Sequence, residues 1–262
     1  MTILDKINAQ KIIEVAEAKA SVSIEDLKAS QFFSRKTNSL VASLLAEGST
    51  GIISEHKRKS PSKGVINDQL SVEEVTQGYA QAGAAGLSVL TDKDFFGGSK
   101  EDLQKARLAN PSTPILRKDF MIDAYQVYEA KAWGADVILL IAASLSPQQI
   151  QDLSQKAHEL GLEVLLEVHD QEELDRSPLA HVDLVGVNNR NLKNFAENNV
   201  NASLELADKI PANIIKISES CISQPETINQ LKAVGYKGFL IGETFMKDAN
   251  PGTKLAEFIA KI

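Results

Sequence analysis

The sequence predicts an α/β protein of the (β/α)8 TIM barrel class with an N-terminal helical extension. Three observations carry that prediction. Beyond residue 50, eight short, β-branched apolar runs read as buried parallel strands. Each is followed by a helix or helix-sized segment, the proportion of a closed barrel. No G-x-G-x-x-G occurs, and a doubly wound sheet would fit only about five or six strands into this length.

Residues 1–50 stand outside this rhythm and are expected to pack on the barrel without forming a domain of their own, so that 1–262 is one barrel domain. Ile3–Ala20 has amphipathic helical spacing, Ser23-Ile24-Glu25-Asp26 resembles a helix start, and Leu40–Leu45 makes a further short helix. The strands then follow as Gly51–Lys57, Gly86–Thr91, Ile115–Lys118, Val137–Ala142, Glu163–Val168, Leu184–Asn188, Ile214–Ser218 and Gly238–Ile241. Helical segments between them include Ser71–Gln81, Lys100–Leu108, Ala124–Trp133, Pro147–Leu160 and Pro225–Val234. Ser146-Pro147 combines a capping side chain with a proline suited to the first turn. Gly134, Gly161 and Gly235 sit where a helix hands over to the next strand.

Composition narrows the function. At 262 residues, with 43% hydrophobic and 24% charged residues, the chain suits a folded domain with a sizeable core. Its net charge of −7 argues against a general nucleic-acid binder. A single cysteine, Cys221, excludes a disulfide framework and any multi-cysteine zinc site. No apolar run approaches membrane-spanning length, and Met1 to Ala20 is too charged for a signal core, so a cytoplasmic setting is expected.

Barrel chemistry sits at the carboxyl ends of the strands. With a period of two, Glu55 and Lys57 share one face of the first strand, and His56 takes the face toward the helices. Lys118 continues an inward row behind Leu116, and Glu167 follows Leu165 inward. Asn188, Arg190 and Glu219 close the sixth and seventh strands. Any one of these charges would pass as a solvated cap or a structural ion pair, but their convergence on one rim points to an active site. The run Lys57-Arg58-Lys59-Ser60-Pro61-Ser62-Lys63-Gly64 is the most basic stretch of the chain and suits a small anionic ligand. Ser220-Cys221-Ile222-Ser223 and Ile241-Gly242-Glu243-Thr244 follow the last two strands, where barrels often hold phosphate on backbone N–H groups. His169 is assigned to the side opposite Glu167, and Trp133 to the core. No histidine pair has metal spacing, so no metal is expected. A phosphosugar isomerase, a Schiff-base aldolase using Lys57 or Lys118, and a non-catalytic phosphate-binding barrel remain alternatives.

Taken together these segments resemble the indole-3-glycerol phosphate synthase family. The resemblance rests on Glu55 to Gly64, Leu87 to Thr91, Phe95 to Ser99, Pro114 to Phe120, Leu165 to His169, Gly186 to Leu192, Ser218 to Ser220 and Leu240 to Glu243. It implies closure of an indole ring on 1-(2-carboxyphenylamino)-1-deoxyribulose 5-phosphate, with loss of carbon dioxide and water and without metal or organic cofactor. By that resemblance Lys118 is the general acid of ring closure and Glu167 supports charge and proton transfer. Lys57, partnered by Glu55, holds the substrate carboxylate and takes part in dehydration. Asn188, Arg190, Glu219 and Ser60 contact substrate, while Phe96, Phe120 and Leu192 form an apolar wall. Lys59, Ser220, Cys221, Gly242 and Glu243 fall near the phosphate. The expected partner is a small phosphorylated substrate, with no nucleic acid or membrane, and a monomer is the expected form. Two positions depart from the family pattern: Cys221 stands where glycine is common, and His56 where an aliphatic residue is usual.

Overall fold

The computed structural model describes residues 2–190 and 199–262. Eight parallel strands close into a barrel in which each pairs with the next and the first pairs with the last. They run Ile52–His56, Gly86–Leu90, Ile115–Lys118, Val137–Ile141, Glu163–Val168, Leu184–Asn188, Ile215–Glu219 and Gly238–Ile241. All eight expected strands are present, shifted at their ends by a residue or so. One element was not foreseen: the basic loop after the first strand folds back as a ribbon, Lys59–Ser60 against Gly64–Val65.

Helices form where sequence signals start and stop them. Ser71 and Ser146 accept the backbone N–H of Glu74 and Gln149, each within a reciprocal capping box. Gly134 ends Ala124–Trp133 in the left-handed region, with φ 95°. Trp133 is only half-buried, and the Arg117 guanidinium lies 4.0 Å over its ring.

Two apolar layers result. The outer one lies between strands and helices. The inner one fills the barrel with Ile53, Leu116, Leu139, Leu165, Leu184, Ile217 and Leu240. Leu40 and Leu44, from the short helix Leu40–Leu45 of the N-terminal segment, pack into this inner layer. This layer positions the site. Two residues beyond Ile53, Leu116, Leu165 and Ile217 along their strands stand Glu55, Lys118, Glu167 and Glu219, which the strand period directs to the same interior.

The N-terminal segment is tied on by charge as well as packing. Its first helix, Ile3–Ser21, sends Lys11 into a buried site, 3.0 Å from both Asp92 and Asp119 and 2.6 Å from Glu14. The Tyr125 hydroxyl donates to the carbonyl oxygens of Ala18 and Val22.

Candidate active site

Four strand ends converge on Lys118. Its Nζ lies 2.9 Å from Oε2 of Glu167 and 2.8 Å from Oε2 of Glu219. Lys57 Nζ is 2.7 Å from Oε1 of Glu55, whose other oxygen accepts from Ser88 at 3.3 Å. Asn188 donates to Oε1 of Glu167 at 3.1 Å. Gly186 makes this arrangement possible, because a Cβ there would stand 2.0 Å from Oε1 of Glu219.

The cluster sets its own protonation states. Burial disfavours the Lys118 charge, yet Glu167, Glu219 and Glu55 outweigh it and raise the ammonium above its usual range. Glu167 moves the other way. Burial opposes its charge, but Lys118, His169 and the bond from Asn188 pull it down to about 2. Glu219 is pushed up to about 7, by burial first, which with repulsion from Glu167 and Glu55 outweighs the opposing pull of Lys118. Its Oε1 is buried and unpartnered. Two carboxylates contacting one lysine are thus driven apart, one ionised and one poised to hold a proton near neutrality.

Beside Glu55 and Lys57 lies a cavity of about 120 Å³ lined by Arg190, Ser220, Cys221, Gly242, Glu243 and Lys247, among others. It has room for a phosphoryl group. Ser220 and Cys221, on the rim of this cavity, hold φ of 66° and 60°, in the left-handed region. A cysteine there is strained where glycine would be free. The Glu243 carboxylate is ringed by Lys247 at 2.6 Å, Arg190 at 3.6 Å and Lys63 at 3.9 Å. Lys63 and Lys247 were not singled out from the sequence, although Lys63 lies in the basic run and Lys247 one helical turn beyond Glu243.

Other expected residues fall as follows. Phe96 and Phe120 face each other with ring centroids 5.9 Å apart. Lys59 reaches away from the phosphate-sized cavity, donating to the carbonyl of Asp94 at 2.8 Å. Ser60 sits on the ribbon, 3.5 Å from the Ser62 hydroxyl. Leu192 lies outside the described residues. His56 is buried, and burial together with Arg58 lowers its pKa to about 4 against the pull of Asp102, Glu55 and Glu73. His169 requires a correction. It stands two residues beyond Glu167, hence on the same face, and its Nε2 is 3.6 Å from Oε1 of Glu167.

Among the described residues no cluster has the make-up of a metal site, and no helix is long and apolar enough to cross a membrane.

Comparison with known proteins bears on the fold and the family. The family model described as indole-3-glycerol phosphate synthase matches residues 4–258. Indole-3-glycerol phosphate synthase of Bacteroides thetaiotaomicron is 47% identical over 99% of this chain and 98% of its own. The Burkholderia lata enzyme of the same name is 44% identical, covering 97% of both chains. Among solved structures, 3-hexulose-6-phosphate synthase from Salmonella typhimurium superposes with a TM-score of 0.63 at 14% identity, over 80% of this chain and 98% of that one. A mutant tryptophan synthase α-subunit from Pyrococcus furiosus gives 0.60 at 15%, over 81% and 97%. At such identities these two structures establish the barrel fold alone. The sequence relatives establish more: the chain belongs to the indole-3-glycerol phosphate synthase family, carboxy-lyases of tryptophan biosynthesis.

Proposed function

We propose that Lys118 is the general acid that closes the indole ring of 1-(2-carboxyphenylamino)-1-deoxyribulose 5-phosphate. The ring carbon bearing the carboxylate attacks the ketose carbonyl, and Lys118 delivers its proton to the carbonyl oxygen, which becomes a hydroxyl. Glu167 stabilises the positive charge that develops on the ring nitrogen. Loss of carbon dioxide returns an electron pair to the ring and removes that charge. The hydroxyl then leaves as water, with one proton supplied and one withdrawn by the Lys57–Glu55 pair. Before decarboxylation Lys57 holds the substrate carboxylate, and Asn188 and Glu219 keep Glu167 and Lys118 in place.

The observation that carries this reading is the pairing of Lys118 with two carboxylates of opposite pKa shift. A lysine held protonated suits an acid, whereas an imine-forming lysine needs a depressed pKa. The phosphate is assigned to the cavity at Ser220, Cys221 and Gly242, with Arg190, Lys63 and Lys247 supplying positive charge. The aromatic ring is assigned to the wall of Phe96 and Phe120. Lys59 is the weakest assignment for phosphate, being engaged with Asp94. A single chain carries every residue named, which suits a monomer, and a cytoplasmic setting is part of the same proposal.

The test is turnover of the purified protein, followed by indoleglycerol phosphate fluorescence, with borohydride trapping in parallel. The reading expects product and no reduced covalent adduct. A trapped adduct, or no product, would overturn it.

A further inference from the structure

His169 joins the catalytic carboxylate to a helix outside the barrel. Its Nδ1 lies 3.2 Å from Oε2 of Glu173, and its backbone N–H donates to the same oxygen at 2.8 Å. Glu173 sits in the helix Gln171–Asp175, which Asp170 caps by accepting the Glu173 N–H at 2.9 Å. The other ring nitrogen, Nε2, faces Oε1 of Glu167 at 3.6 Å. That oxygen accepts from Asn188, while Oε2 is taken by Lys118.

The ring chemistry constrains the charge. A neutral imidazole has one donor nitrogen and one acceptor nitrogen. Either neutral tautomer here would turn a lone pair toward a carboxylate. With both nitrogens facing carboxylates, the imidazolium is the form that satisfies both. Glu167 on the fifth strand and Glu173 on its helix face the ring, and Glu219 on the seventh strand adds to their field. All three are acidic. Burial opposes the charge, but these carboxylates outweigh it and raise the His169 pKa above the ordinary 6.5.

We propose that His169 is a positioning residue for the reaction: clamped by Glu173, its imidazolium fixes the Glu167 carboxylate toward Lys118 and keeps it ionised. This rests on the reading that Glu167 acts at the reacting atoms. The clamp loses its charge as pH rises through the raised His169 pKa, so its titration contributes to the alkaline limb of kcat.

Two measurements test the proposal. Nitrogen-15 NMR of the wild-type ring is expected to show both nitrogens protonated at pH 6.5, with a pKa above that value that falls in Glu173→Gln. In kinetics, His169→Gln is expected to lower kcat between about 10- and 100-fold, the scale on which misplacing a reacting group acts, with KM nearly unchanged. Its alkaline limb should shift, which a purely structural role would not produce. A His169 pKa at or below 6.5, or wild-type kcat and pH profile in His169→Gln, would overturn the proposal. Glu167→Gln, run alongside, separates the failures. If it is fully active, the reading of Glu167 falls; if it is inactive while His169→Gln behaves as wild type, only the positioning role falls.

Discussion

Among the described residues, one buried and one half-buried lysine are each flanked by carboxylates, and the two differ in kind. Lys11, from the N-terminal helix, meets Asp92, Asp119 and Glu14. Lys118, at the end of the third strand, meets Glu167 and Glu219. Around Lys11 the buried aspartates are fully occupied. Asp92 also accepts the N–H groups of Phe95 and Phe96, and Asp119 accepts from Thr91, Arg117 and the Phe120 N–H. Around Lys118 the set is incomplete: Glu219 keeps an unpartnered oxygen, and the lysine retains 15% of its side-chain exposure. A closed set of ion pairs makes a clasp, whereas the open one leaves a buried acceptor unfilled. The clasp also serves the site, because its aspartates hold the backbone of both Phe96 and Phe120.

Substitutions should separate the two lysines. The largest effect is expected at Lys118→Ala, where kcat should fall by about 10²–10⁴-fold, the range for losing a general acid, while circular dichroism stays that of the wild type. Lys11→Met should do the reverse. It strands two buried carboxylates and is expected to cost about 3–5 kcal/mol in urea unfolding, with a smaller effect on kcat. If Lys11→Met unfolds like the wild type, the clasp is not structural. Gly186→Ala should drive Glu219 off Lys118 and lower kcat by about 10²-fold without a comparable loss of stability. An unchanged kcat there would show that Glu219 is not needed where it stands.

The clasp also predicts a pH response. The folded-state pKa of Asp119 lies below its ordinary 3.8, since Arg117 and Lys11 overcome the opposing effect of burial. Its stabilisation is therefore complete above pH 3.8 and is lost as pH falls toward the folded value. Lys11→Met should flatten that acid limb of the unfolding curve. The smallest effect is expected at Cys221. Replacement by glycine relieves a left-handed cysteine and should stabilise by about 1 kcal/mol, or raise Tm by about 2–4 °C. A lower Tm would mean that the cysteine is not strained.

Much of this was readable from the residues. The inward rows ending in Glu55, Lys118 and Glu167 follow from the two-residue period, which acts locally, and the barrel from the alternation of strands and helices. The clasp was not legible, because Lys11 and Asp92 are 81 residues apart and nothing local marks them as partners. His169 was legible in principle: the same period that placed Glu167 inward places it inward too. Lys59 shows the limit of reading a basic run. The ribbon folds the run back on itself, and this decides which cations face the cavity and which turn to a neighbouring carbonyl.

The central claim is that Lys118 supplies the proton for ring closure itself. Rapid-quench single turnover with Lys118→Ala in excess over substrate tests it directly. The account predicts that substrate persists unreacted, its disappearance slowed by at least about 10²-fold. Consumption at the wild-type rate, with a ring-closed hydroxylated intermediate accumulating, would contradict it and move Lys118 to the dehydration step.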